Sequence, residues 1–592
     1  MTAIMLHWER GIAMITRRAW EKCIAVADGR KEADLCISHA RILDVFDKQW
    51  FDGDLLVSGG YIAGYAPYGE GKGKDVVDAH GSFLVPGLID GHEHIESSYL
   101  APSEFSNLVV PCGTTTVIAD PHEICNVCGL DGLRYMLASS AKTPLSVQFM
   151  VPSCVPATDF EHAGAVLLAK DIKKMFGKDR ILGLGEMMNY PGVVSGTGFV
   201  LDKIWEAKLA SLPVDGHSPG VEGHGLDAYV GAGIHTDHEC ATPQELKDRI
   251  RRGMYVMLRQ GSACRDLLNL LPGVTPQNMS RCMFCTDDRQ PKSILEEGHI
   301  NNNVRMAVAY GLDAIDALCM ATINAAECYH LDDRGAIVPG RRADFLLVDD
   351  LAEMNPRCVY VQGKLVAREG IMLTPSAPVE AKNVSGRMQV KDFSEKKLAL
   401  RLASTHVRVI DILPGGVVTG KGEAEVTVEN GLWKHDPKTD ILKIAVVERH
   451  HGTGNVGLGL IRGYGLKHGA IATSIAHDSH NIIVTGDNDE DMVVAVNDLV
   501  SMGGGMTIVK DKKVVGHLAL PIAGLMTTLS AREVNERLVD LHTLAYTEVG
   551  VSRSVEPFMT LCFMALPVIP AYKVTDMGLF DVTQFKLVGM EI

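Results

Sequence analysis

Between residues 83 and 325, short apolar runs recur, each followed by a stretch with helical spacing. Eight runs fit strands, at residues 83–89, 114–119, 145–151, 181–186, 213–216, 233–236, 255–259 and 282–286. Helices are expected between them, at 163–176, 201–210, 243–252 and 262–271 among others. Eight β/α units over roughly 240 residues is the size of a (β/α)8 TIM-like barrel. A doubly wound sheet is the alternative. The barrel is favoured because polar, metal-capable residues follow many of the strand ends, where a barrel places its active site.

The flanks have a different texture. Residues 33–45 and 53–64 are short β-type runs punctuated by Gly59-Gly60, a turn signal. β texture returns at 340–349 and 359–366. The two parts are expected to form one small β-sandwich domain, residues 33–80 plus 335–370, beside a barrel of residues 81–334. Residues 367–395 read as a polar linker. A separate C-terminal α/β domain is expected over 394–592, with strands at 441–447, 481–485 and 506–510 and a helix at 491–502. Residues 1–32 form an extension, expected to be helical in part, with no readable chemistry.

Composition narrows the function classes. The net charge of −16 argues against a nucleic-acid partner, which would need a basic face. It leaves a small neutral substrate open. No apolar stretch reaches the ~18 residues of a membrane span, and residues 1–18, with Glu9 among them, fit neither a signal nor a transit peptide. The fourteen cysteines are scattered through apparent core segments, which points to reduced thiols and a cytoplasmic setting. Two CxxC pairs, Cys125/Cys128 and Cys282/Cys285, raise a four-thiolate zinc site. The second pair lies in an expected strand with its two thiols on opposite faces, so buried core is the better reading.

The strand ends carry the candidate chemistry. In a strand, residues i and i+2 point the same way, so His92 and His94 can aim at one point just beyond the first strand. Neutral imidazole is a common ligand for borderline divalent metals. Strand two ends in Asp120-Pro121-His122-Glu123 and strand four in Glu186. Strand five is followed by His217, strand six by His238-Glu239, and strand eight by Asp287-Asp288. Two histidines and an aspartate can hold one ion. Glu186 as a bridging carboxylate, with His217 and His238, makes two possible. Metal coordination lowers water's pKa from 15.7 to about 7, so metal would supply the nucleophile while Asp287 handles protons. His217 competes with His224, and His238 with His235. His217 and His238 are preferred because each sits at a strand-to-loop transition. His122 and Glu123 belong at the mouth, with substrate contact, support of ligands and loop capping all open. Arg259, ending strand seven, could bind substrate or pair with an acid.

These residues resemble the amidohydrolase superfamily. The runs Gly87–Ser98, Ala119-Asp-Pro-His-Glu-Ile124, Gly185-Glu-Met-Met-Asn189, Asp215-Gly-His-Ser-Pro219, Thr236-Asp-His-Glu239 and Cys285-Thr-Asp-Asp-Arg289 are similar to the adenine deaminase family within it. So are Gly452–Gly459, Ala476–Asn481 and Met502–Met506 in the C-terminal region. The resemblance covers most of the chain from about residue 33. It implies hydrolysis of adenine to hypoxanthine and ammonia, with hydroxide attacking C6. It also implies two divalent ions per subunit, Mn or Fe or else Zn, with Asp287 and Glu186 as the catalytic carboxylates. A homodimer is what the resemblance suggests. Glu186 stands where many relatives use a carboxylated lysine, which counts against hydantoinase and dihydroorotase activity. Cleavage of a cyclic amide or of an N-acetyl amino sugar is the alternative. The zinc nucleobase deaminases need H-x-E followed by P-C-x-x-C. Here Pro111-Cys112 is followed by Gly-Thr-Thr, which excludes them. For His477 and His480 in the C-terminal region, three readings stand: a second metal site, a lid over the barrel, or a loop tied by its own side-chain bonds.

Overall fold

The computed structural model describes residues 16–413 and 417–592. The part of the extension before residue 16 lies outside them, and Arg17–Ala27 is a helix capped by Thr16.

Eight parallel strands form the barrel: β1 (Leu88–Glu93), β2 (Thr114–Ala119), β3 (Ser146–Val151), β4 (Ile181–Met187), β5 (Val214–Gly216), β6 (Thr236–Asp237), β7 (Tyr255–Arg259) and β8 (Cys282–Cys285). β1 to β5 pair in chain order, as do β6 to β8. The His235 N–H donates to Val214 O at 3.2 Å and joins the two sheets on one side. On the other, the Asp287 N–H donates to His92 O at 3.0 Å and the His94 N–H to Asp287 O at 3.2 Å. The barrel is therefore closed. Ile89, Ile118, Met150, Met257 and Met283 fill its lower interior against Ala325, Tyr329 and Leu331. β4, β7 and β8 are mostly apolar because both faces are covered.

The expected first strand, 83–89, is in fact split. Phe83–Pro86 joins the flanking sheet and β1 begins at Leu88. Gly87 makes the break, since a Cβ there would lie 2.2 Å from Thr115 Oγ1. The strand also runs further than its apolar run, through Glu93. The flanking β domain is a nine-stranded sheet folded over Ile37, Ile42, Leu55, Val57, Phe345 and Leu347. Strands from both sides of the barrel meet in it, with Phe345 opposite Pro86 and Leu347 opposite Leu84.

Two expected helices are much shorter than their patterns. The one at 163–176 is only Ala169–Ile172, and the one at 262–271 only Leu267–Leu270. The stretch before Ala169 is committed elsewhere. The Gly164 N–H donates to Asn126 O at 2.6 Å, and the His162 N–H to Asp576 Oδ1 of the C-terminal region at 3.0 Å. The segment 367–395 is irregular yet anchored: the Ser376 N–H donates to Asn107 Oδ1 at 2.7 Å and the Ala523 N–H to Val384 O at 2.8 Å.

The C-terminal region is built on an eight-stranded, mostly antiparallel sheet. Helix Asp489–Met502 covers one face through Met492, Ala495, Val496 and Leu499. The other face joins the barrel's core, in which Ile124, Val155, Ile475, Phe558 and Leu561 pack as one cluster. The fourteen cysteines are all free thiols. Cys282 packs outside the barrel and Cys285 inside it, as their spacing in a strand requires.

Candidate metal centre and active site

A bulge in β1 aims the histidines. Ile89 points into the barrel, and strict alternation would turn His92 outward. Between Asp90 and Glu93 the register against β2 slips by one residue. Asp90 and Glu93, three apart, consequently share the outer side, where both bond Thr286 Oγ1. His92 and His94 turn inward. Bulges commonly re-aim a side chain beside an active site. Across the seam, Asp287 is held at φ +59°, a conformation that costs a non-glycine residue energy and that clusters at functional sites.

Glu186 is the centre of the cluster. Its Oε1 lies 3.3 Å from His94 Nε2 and 3.3 Å from His122 Nδ1. Its Oε2 lies 2.8 Å from His217 Nδ1 and 3.4 Å from His238 Nε2. Asp287 Oδ1 is 3.1 Å from His94 Nε2 and 3.5 Å from His92 Nε2. Six of the ligand candidates named from the sequence thus meet in one buried space. Their alternatives do not. His224 is fully exposed beside Asp227. His235 turns to the barrel floor, with Nδ1 2.9 Å from Val214 O.

The donor set calls for a cation. His94 Nδ1 faces the Asp120 carbonyl at 2.9 Å, so Nδ1 carries the proton and Nε2 presents a lone pair. That lone pair looks at His92 Nε2, 3.1 Å away, and at two carboxylate oxygens. Acceptors facing acceptors are costly when buried. A positive charge between them resolves the conflict. Among the described residues, Nδ1 of His92 and of His238 has no hydrogen-bond partner. Burial, with His238 close by, pushes His92 down to about 3, favouring the neutral, ligating form. At His94, His217 and His238 the facing carboxylates overcome burial and push the pKa up, so with no cation between them these rings draw protons instead. Burial would raise the Glu186 carboxyl, but the bond from His217 outweighs it and holds the group well below the usual carboxylate range. Asp287 is likewise held low against burial by His92 and His94. Three overlapping sets emerge: His92, His94 and Glu186; His92, His238 and Asp287; and Glu186, His217 and His238.

The chain is similar to known proteins along nearly its whole length. The amidohydrolase family model matches residues 83–366, and the adenine deaminase C-terminal domain model matches residues 416–586. The protein named adenine deaminase 2 of Desulfotalea psychrophila is 50% identical over 578 residues, 98% of this chain and 100% of its own. The adenine deaminase of Nitratidesulfovibrio vulgaris is 50% identical over 564 residues, 95% of this chain and 97% of its own. Adenine deaminase 2 of Carboxydothermus hydrogenoformans is 48% identical over 571 residues, 96% of this chain and 99% of its own. The chain belongs to the adenine deaminase family.

As in that family's domain plan, a C-terminal domain follows the barrel, and here it covers the mouth. A small cavity lies between them, bounded by Ser97, Glu123 and Asp288 below and by His477, Met559 and Phe563 above. Glu123 lines it directly. His122 sits one layer deeper, between Glu186 and Glu123. Arg259 is taken up by acids: Nη1 lies 3.0 Å from Asp287 Oδ2, Nη2 lies 3.1 Å from Asp266 Oδ2, and Glu239 closes on the same group. Of the two roles its place in the sequence left open, the geometry favours pairing over substrate contact.

Three residues matter to which the sequence alone assigned no role. Asp120 Oδ2 accepts the Glu186 N–H at 2.8 Å. Glu239 Oε1 lies 3.4 Å from His238 Nε2 and 3.6 Å from His217 Nδ1. Asp288 accepts a bond from Ser97, and burial with the charge of Asp287 raises its pKa. All three adjoin or nearly adjoin a named candidate at a strand end, and that adjacency was the available signal.

Proposed function

We propose that the protein hydrolyses adenine to hypoxanthine and ammonia. The observation that carries this is the Glu186 carboxylate, with each oxygen facing two imidazoles, in a chain half identical to adenine deaminases along its length. His92, His94, Asp287 and Glu186 would hold one divalent ion, and Glu186, His217 and His238 a second. When bound, such ions acidify water towards a pKa of about 7. Histidine and carboxylate donors suit Mn, Fe or Zn.

The chain's own groups handle position and protons. Glu123 and Asp288 face the cavity and would hold the purine by its polar edge. Water adds to C6 and the C6–N bond breaks. Asp287, ionised and oriented by Arg259, takes the proton of the attacking water and passes it towards the leaving amine. Glu186 keeps the negative charge that the surrounding imidazoles require. The setting we infer is cytoplasmic and the assembly a homodimer. Among the described residues no helix is long and apolar enough to cross a membrane.

The test is direct. Protein loaded with Mn, Fe or Zn is incubated with adenine, and ammonia and hypoxanthine are followed. No release with any of the three sinks the reading. Turnover of a dihydropyrimidine or an N-acetyl amino sugar instead would replace it with an amide-cleaving one.

A further inference from the structure

We propose that the C-terminal domain fixes Glu123 as a hydrogen-bond acceptor through His477 and His480, and that this clamp selects the free purine base over its N9-substituted forms. The inference rests on the adenine reading above and concerns how that substrate is recognised.

Glu123 opens helix His122–Cys128 and is 3% exposed. His477 Nδ1 lies 2.7 Å from its Oε1, and His480 Nε2 closes on its Oε2. The His480 tautomer can be read from its other nitrogen. Nδ1 accepts the Ala476 N–H at 3.3 Å, so in the neutral ring Nε2 carries the proton and donates to Glu123. A metal-ligating histidine shows the opposite pattern, its second nitrogen donating to a carbonyl or carboxylate. His94 has that pattern, with Nδ1 on Asp120 O at 2.9 Å. Glu123, His477 and His480 offer a donor set of metal-binding type, yet the tautomer makes them a hydrogen-bonded clamp.

The clamp is held from both sides. The buried Arg449 guanidinium donates to Ala523 O at 3.0 Å, to Arg387 O at 2.8 Å and to His480 O. Asn481 Nδ2 donates to His162 O at 2.8 Å, tying the histidine loop to the barrel's own long loop. The His477 ring stacks on Phe563, with centroids 4.8 Å apart. Each carboxylate oxygen has two lone-pair positions. On Oε1, His477 takes one and His122 Nε2, 3.5 Å away, faces the other, while on Oε2 His480 takes one. The carboxylate therefore keeps acceptor capacity on Oε2, fixed in direction, in a residue that lines the cavity. A free purine has an N–H on its imidazole ring, and an N9-substituted purine has none. A buried acceptor left unpaired rejects the ligand lacking its donor, by as much as about 10⁴–10⁵-fold in sites built that way.

The test uses the metal-loaded protein with His477→Ala, His480→Ala, His477→Asn and His480→Gln. Asn offers an N–H near the place of Nδ1, and Gln near that of Nε2. Ammonia release from adenine and inhibition by 9-methyladenine are measured, with metal content and melting temperature alongside. Each alanine variant is expected to lose about 10–100-fold in kcat/KM for adenine, the value of a hydrogen bond to a charged group. The 9-methyladenine inhibition constant should move much less, so the preference for the free base narrows. His477→Asn and His480→Gln should restore most of it, with metal content unchanged throughout. Equal shifts for both purines, alanine variants that match wild type, or a third metal equivalent that His480→Ala loses would each overturn the clamp. If an alanine variant does not fold, Glu123→Gln takes its place, and an unnarrowed preference there overturns the proposal as well. Wild type that releases no ammonia from adenine defeats the functional reading, and the clamp with it.

Discussion

At the residue scale, the site depends on one carboxylate serving two sides. Glu186→Gln keeps the shape and removes the charge that the four imidazoles face. Elemental analysis should show loss of bound metal. The fall in affinity should exceed the roughly 10–100-fold that follows loss of an outer partner. Asp287→Asn should lower turnover by about 10²–10⁴-fold, the range for a positioned proton-transfer group. A variant with full metal and full turnover would refute the proton role. Gly185 sets where Glu186 sits, because a Cβ there would lie 2.1 Å from Asp120 Oδ2, the atom that accepts the Glu186 N–H. Gly185→Ala should cost about 1–3 kcal/mol of stability from overpacking. Activity should fall further than stability, as melting and turnover measured together would reveal.

At the element scale, short segments are bent to the needs of the whole. The bulge in β1 turns two histidines inward at the cost of regular pairing. Strand Tyr572–Thr575 buries Lys573, whose Nζ donates to Phe563 O at 2.8 Å and Val417 O at 2.7 Å. The lysine thereby ties this strand to helix Pro557–Phe563, whose last residue walls the cavity. Burial lowers its pKa to about 7, against about 10.4 for an unfolded lysine. Between these values the unfolded chain holds a proton that the folded one has lost, so this group's contribution to stability rises with pH. Below about 7 both states are charged and the burial penalty is at its full, constant size. Lys573→Met should therefore gain most, relative to wild type, at pH 7 and below. That advantage should shrink towards pH 10 in paired thermal melts. A difference that does not vary with pH would show that Lys573 is not lowered.

At the scale of the whole molecule, the barrel and the C-terminal domain share one apolar core and one cavity. Calorimetry of the metal-free chain should give one main transition involving both, and two well-separated transitions would contradict the shared core. The proposed dimer has a candidate face. Trp205 and Leu209, one turn apart on helix Gly198–Leu209, are 58% and 61% exposed. Val166 and Leu168 are exposed at 63% and 42% just before the short helix that packs beside it. Trp205→Glu should shift sedimentation from dimer to monomer with the melting temperature little changed. A dimer that survives it would place the interface elsewhere.

The sequence by itself determined the barrel, because eight apolar runs of strand length between helical stretches leave few other folds. It also determined which residue types gather at the mouth, since ligand-capable side chains recur at strand ends and a closed barrel brings those ends together. Cys282 and Cys285 were legible for the same reason: their spacing alone put them on opposite faces. Tertiary structure decided whatever depends on parity, partners or distance along the chain. Only the bulge says that His92 and His94 face inward. Only the packed loop before Ala169 says that an apparent helix is mostly not one. At a strand end Arg259 suits substrate or acid, and only the three carboxylates packed around it decide for the acids. His477 and His480 lie more than 350 residues from Glu123, and no local pattern encodes a hydrogen bond across that separation. Periodicity fixes a face and motif spacing fixes a neighbourhood, but pairing between distant groups is set by the packing of whole domains.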